Sequence, residues 1–144
     1  MATIVDILTH TDAFFEMHWP KNSAVSMPSW KTNWSWSGSV PYHDKGGVYA
    51  LIDGDGEVVY IGLGASRGGG LYKDHGISRR LLAHVIKTCK EKGRGHYEPR
   101  QKWAEVWDIG AVGFPREFAY LAPALEDYLI WKVAPSRNSA KKAG

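Results

Sequence analysis

Cysteine is almost missing from this chain: Cys89 is the only one in 144 residues. No internal disulfide can form and no cysteine cluster can hold zinc, so a reducing, cytoplasmic setting is expected. Long apolar runs are missing too. Nothing approaches the roughly 18 residues that a bilayer span requires, and Met1 to His18 lacks the basic start and apolar centre of a signal peptide. The chain is therefore expected to be soluble and unprocessed, with no membrane partner. Internal repeats and low-complexity tracts do not occur, and His10, His18, His43, His75 and His96 fall at no zinc-like spacing. No motif for a nucleophilic serine or cysteine is present. What remains open to the chain is metal chemistry through oxygen ligands.

Apolar residues are plentiful at 44%, with seven Trp among them, which suffices for one core in a chain of this length. One structural domain is expected, with residues 1–45 packed as an extension on residues 46–144. Net charge is only +3, but its distribution is uneven. Between Arg67 and Lys102 ten basic residues face three acidic ones, a local net of +7 that leaves −4 for the rest. Such a segment suits a phosphate backbone, and equally suits a solvated cationic face. The residues placed to contact nucleic acid are Lys73, Arg79, Lys87, Arg94, Arg100 and Lys102.

The opening section carries a helical apolar pattern (Ile4, Ile7, Leu8, Phe14, Phe15) and then a turn-rich stretch from Pro20 to Pro41. Trp19, Trp30, Trp34 and Trp36 lie in it or beside it. Two readings stand: rings that cap a small core, or an aromatic platform on which Trp30 and Trp34 stack unpaired bases.

Beyond Gly46 the pattern is sharper. Two β-rich runs, Gly47 to Ile52 and Glu57 to Gly62, flank Asp53-Gly54-Asp55-Gly56, which predicts a hairpin. A two-residue loop at Gly54 and Asp55 sets Tyr49 directly opposite Tyr60; a loop moved by one position makes them diagonal neighbours on the same face. Only an odd loop without a compensating bulge would separate them. A glycine-rich loop follows from Leu63 to Gly76, then helical spacing from Ile77 to about Lys92, with Arg80 in its first turn and His84 one turn later on the same face. Lys102 to Ile109 reads as a third strand. Pro123 opens a helix that runs to about Val133 and stops before Pro135.

These motifs resemble those of the GIY-YIG nuclease superfamily. Gly47-Val48-Tyr49 and Tyr60-Ile61-Gly62 occupy the two tripeptide places, Arg80-Leu81-Leu82-Ala83-His84 matches the arginine helix, Glu126 the metal-binding glutamate, and Asn138 the asparagine that follows it. The match runs from residue 46 to 138. Val48 replaces the usual isoleucine, and the long loop before Arg80 and the Trp-rich opening depart from the pattern. The resemblance implies an α/β fold with a small, largely antiparallel three-stranded sheet flanked by helices, and a divalent-metal-dependent endonuclease. It implies Tyr49 as general base or water-orienting group, with Tyr60 supporting it and Asn138 bracing the site.

The residue chemistry agrees with that implication. Phosphodiester hydrolysis needs an activated water, neutralised phosphoryl charge and help for the leaving oxygen. Glu126 supplies one hard oxygen for Mg²⁺, or Mn²⁺ in its place, with Asp127 as the fallback, and Mg²⁺ often takes only one or two carboxylates beside water and phosphate. Arg80 can grip two phosphate oxygens, with Arg79 the alternative if the register slips. His84 can contact phosphate or orient water, or serve structure. Lys73 can depress a tyrosine pKa or contact backbone. DNA is the expected substrate, with single-stranded DNA, RNA or binding without turnover as the alternatives. Cutting both strands with one site would call for a homodimer or two sequential nicks.

Overall fold

A computed structural model describes residues 1–65 and 75–138. Helix α1 (Ile4–His18) begins with a capping box, in which Thr3 Oγ1 accepts from the Asp6 N–H and the Asp6 carboxylate accepts from the Thr3 N–H. It ends where Trp19 turns extended ahead of Pro20. Its buried face, Ile7, Thr11, Phe14 and Phe15, follows the 3–4 spacing read from the sequence.

The main sheet contains four antiparallel strands: β1 (Trp30–Lys31), β2 (Gly46–Asp53), β3 (Val58–Gly64) and β6 (Val106–Phe114), in the order β1-β6-β2-β3. This corrects the three-stranded expectation twice. The opening section contributes a strand of its own, and the late strand begins at Val106 rather than Lys102 because Gln101–Trp103 forms a 3-10 turn. The alternation of Trp103, Glu105 and Trp107 with Ala104, Val106 and Asp108 suggested a strand over Lys102 to Ile109. The actual strand is buried without interruption from Ile109 to Phe114, as befits an interior position.

Helix α2 (Gly76–His84) is shorter than its periodicity promised. After Val85 the chain extends into β4 (Ile86–Thr88), which pairs with β5 (Tyr97–Pro99) in a separate two-stranded sheet. Val85, Ile86 and Thr88 are β-branched, and pairing gives them a partner that a continued helix would not. Helix α3 (Ala122–Val133) follows a 3-10 segment, Arg116–Leu121, and ends at Ala134 in the left-handed region before Pro135.

Two apolar clusters sandwich the sheet. One joins α1 and α3 to Val48, Ala50 and Ile61; the other joins α2 to Tyr49, Leu51, Ile109 and Trp103. No described helix is long and apolar enough to cross a membrane.

Candidate active site

The site is organised by the β2–β3 hairpin. Its turn is odd: Gly54 to Gly56 lie between Asp53 and Glu57, whose backbones are joined by Asp53 N–H donating to the Glu57 carbonyl. The Asp53 carboxylate accepts from the N–H groups of Asp55 and Glu57 and locks the turn. A bulge between Leu51 and Ile52 restores the register, so Tyr49 lies opposite Gly62 and Tyr60 opposite Leu51. The tyrosines are thus diagonal neighbours, not the directly opposed pair of the two-residue-loop expectation. They still share a face, with ring centroids 6.2 Å apart.

Opposite Tyr49 only glycine fits. A Cβ on Gly62 would lie 2.3 Å from Tyr49 Cζ and 2.4 Å from its hydroxyl. The phenol ring therefore lies over the Gly62 backbone, and Tyr49 is 2% exposed. Burial, then the neighbouring Tyr60, push its pKa well above the ordinary phenol value; the nearby Arg80 guanidinium pulls the other way, and Glu126 adds to the rise. Tyr49 is a neutral phenol at physiological pH. Because its folded pKa exceeds the unfolded value near 10, stability from this group is complete below about pH 10 and falls as pH rises beyond it. Denaturation midpoints measured from pH 8 to 11 should show this alkaline loss in the parent and a smaller one in Tyr49→Phe.

At the end of β3 the chain returns as α2 in very close contact. A Cβ on Gly64 would come within 2.6 Å of Ile77 N and Cα, and one on Gly76 within 2.3 Å of the Ala65 carbonyl oxygen. This contact sets α2 beside β3 and opens a cavity of about 550 Å³ whose polar lining is Tyr60, Arg79, Arg80, His84 and Glu126. Arg80 is the fifth residue of α2, beyond the first turn expected for it. Its guanidinium, not the free N–H groups of the helix start, is what it brings to the cavity. His84 is the last residue of the helix and exposed. Glu126 comes from α3, whose apolar face carries it inward to 7% exposure; Asp127 beside it is exposed.

Asn138 lies beneath the site and does not line the cavity. Its side chain accepts from the Ile61 N–H and donates to the Ile61 carbonyl, both at 2.9 Å and buried. It acts as a one-residue strand, holding the backbone between Tyr60 and Gly62. Asn138→Ala leaves both Ile61 groups without that partner and should cost about 2–4 kcal/mol in a urea melt.

Sequence reasoning missed the neighbours that fix Tyr60. Trp103 packs against it with centroids 5.0 Å apart, and Arg137 lies 4.1 Å over the Trp103 ring while pairing with Glu105. The Arg137 N–H also donates to the Val59 carbonyl. The one available signal was the position of Arg137 beside Asn138.

The expected nucleic-acid contacts divide. Arg79 lines the cavity, and Arg94 and Lys102 are exposed. Lys87 pairs with Glu98 across β4–β5 at 3.8 Å. Arg100 is committed to the fold, donating to the Leu82 carbonyl near the end of α2. Lys73 lies outside the described residues. Trp30 is tied into β1, its Nε1–H donating to Thr11 Oγ1, and packs on the α1 side of the sheet. Trp34 stacks on Trp36 and Tyr97 instead.

Among the described residues no group of three or more His, Cys, Asp or Glu side chains is arranged to hold a metal ion. A single buried carboxylate in an open polar cavity still fits a hard cation that keeps most of its waters. Fold and cavity define a mixed α/β protein whose cavity combines one buried carboxylate, two arginines, a histidine and a tyrosine. Comparison with protein-family models, with curated proteins and with solved structures gives no match.

Proposed function

We propose that the chain is a divalent-metal-dependent phosphodiester hydrolase acting on DNA, of the GIY-YIG nuclease type. The observation that carries this reading is convergence. Tyr60, Arg80, His84 and Glu126 come from β3, α2 and α3, and their side chains line one cavity beside the buried Tyr49.

In this reading Glu126 holds Mg²⁺, or Mn²⁺ in its place, which when bound supplies Lewis-acid polarisation of the phosphoryl oxygens. Arg80 and Arg79 present permanent cations to the phosphate, where charge builds in the transition state. A water oxygen forms the new bond to phosphorus, the bond to the leaving oxygen breaks, one proton leaves the water and one reaches the leaving group. Tyr60 and His84, the accessible polar groups, orient the water and the phosphate. Tyr49 is buried and neutral in the free protein, so the base or water-orienting role that the resemblance implies for it requires the metal and Arg80 to lower its pKa. Its hydroxyl neighbours the Arg80 guanidinium. Asn138 fixes the backbone beneath Tyr60 and is a positioning residue.

The test is cleavage of supercoiled plasmid, single-stranded DNA and RNA in Mg²⁺ and in EDTA. Cutting that requires metal supports the reading and reports the substrate class. A folded chain that cuts none of the three in Mg²⁺ or Mn²⁺ overturns it.

A further inference from the structure

Residues 33–38 join two parts of the molecule. On one side the Asp108 carboxylate accepts from the backbone N–H groups of Asn33, Trp34 and Ile109, at 2.9, 3.1 and 2.8 Å, and Trp36 Nε1–H donates to the Trp107 carbonyl at 2.9 Å. On the other side Tyr97 N–H donates to the Trp36 carbonyl and Gly38 N–H to the Gly95 carbonyl, both at 2.8 Å, which aligns the segment with the β4–β5 hairpin. Asn33 and Trp36 adopt φ of 60° and 62°, a left-handed conformation that non-glycine residues enter at a cost. The result is a stack of Trp34 on Trp36 and Tyr97, with centroids 5.3 and 5.7 Å apart, beside a groove of about 340 Å³ that Trp107 also lines.

Trp34, Trp36 and Tyr97 pack against the core cluster around Trp103 and Ile109, but core packing does not account for Trp107. Trp107 is 73% exposed, so its ring adds little burial. The Trp34 Nε1–H is buried without an acceptor among the described residues, a cost that a phenylalanine in the stack would avoid. Three indoles around a groove suit a flat aromatic partner. A cationic partner is disfavoured because the Asp108 carboxylate is already engaged by three backbone donors and the adjoining hairpin tip exposes Lys90, Lys92 and Arg94. The fitting partner is a polyanion that carries planar rings. The groove borders the β1–β6 edge of the main sheet and the cavity borders β3, two to three strand spacings away. Across the strands that is roughly 10–15 Å, and the cavity also lies several residues further along β3, so the two sites are on the order of 20 Å apart, about six steps of a stacked strand.

We propose that Trp34, Trp36 and Trp107 form a second binding site that stacks an unpaired nucleobase of the strand whose phosphates meet the hairpin and the cavity. This rests on the nucleic-acid reading above and narrows it to substrates with single-stranded character. The test is fluorescence anisotropy in EDTA, which prevents cutting, with a labelled single-stranded DNA, the matching RNA, a duplex and an abasic strand. Trp107→Ala should bind the single strand, DNA or RNA, about tenfold or more weakly, with Trp107→Phe recovering most of the loss. The abasic strand and the duplex should bind parent and variant alike. Equal single-strand affinity in parent and Trp107→Ala overturns the site, and a chain that binds no nucleic acid overturns both readings. Metal-dependent cutting, measured separately, keeps them apart: cutting without Trp107-dependent binding removes only the base site. Trp107-dependent binding without cutting removes only the nuclease.

Discussion

Glu126→Gln should lower metal-dependent cleavage by at least about a thousandfold while the protein remains folded. The exchange is isosteric, so the buried position on α3 stays filled, and it removes a charge from a site where burying one is costly. What disappears is the one buried anionic oxygen donor that the described residues place on the cavity wall. Several kcal/mol of transition-state stabilisation go with it, and each 1.36 kcal/mol is about tenfold in rate. Binding should move the other way. With a negative charge gone from beside Arg79 and Arg80, DNA affinity in EDTA should be unchanged or somewhat higher. Asp127→Asn is the matched control, since Asp127 is the adjacent carboxylate and is exposed. A plasmid-nicking time course on the three proteins checks the assignment. Full cleavage by Glu126→Gln rejects Glu126 as the metal ligand, and loss only in Asp127→Asn transfers the role one residue along.

The parts of this site that sequence could and could not disclose differ for physical reasons. Alternation along β2 and β3 fixes which face a side chain takes, so the shared face of Tyr49 and Tyr60 was legible. The odd turn and its bulge changed the register yet left that face intact. Depth is set by what packs on top, and no periodicity reports it. Nothing local says that Tyr49 is buried over Gly62 while Tyr60 reaches the cavity. Helix α2 was overextended because Val85, Ile86 and Cys89 continue a helical spacing, whereas pairing with Tyr97–Pro99 is a long-range contact. The inward aim of Glu126 was legible because it shares a helix face with Ile130 and Val133, of which Ile130 is buried and Val133 partly so. Asn138 could be located but its work could not, since its partner is the backbone of Ile61, 77 residues earlier in the chain.

Gly62→Ala should be among the most damaging single-methyl changes in the chain, in stability and in activity together. The new Cβ would meet Tyr49 Cζ at 2.3 Å, well inside any tolerated contact, and the ring has little freedom to yield. It is 2% exposed, Tyr60 lies 6.2 Å away across the shared face, and the Arg80 guanidinium neighbours the hydroxyl. The backbone under it cannot easily retreat either, because Asn138 fixes Ile61 from below. Overpacking of this kind costs about 1–3 kcal/mol, occasionally more. A urea melt should place Gly62→Ala at or above the top of that range. Displacement of the Tyr49 ring moves Arg80 with it, so cleavage should fall by about a hundredfold even at temperatures where the variant is fully folded. A double-mutant cycle separates this cause from a general intolerance of β3. In a Tyr49→Ala background the ring is absent, and the added methyl should cost less than about 1 kcal/mol. If the penalty is the same with and without the ring, the contact between Gly62 and Tyr49 is not what demands glycine, and the coupling through Tyr49 to Arg80 fails with it.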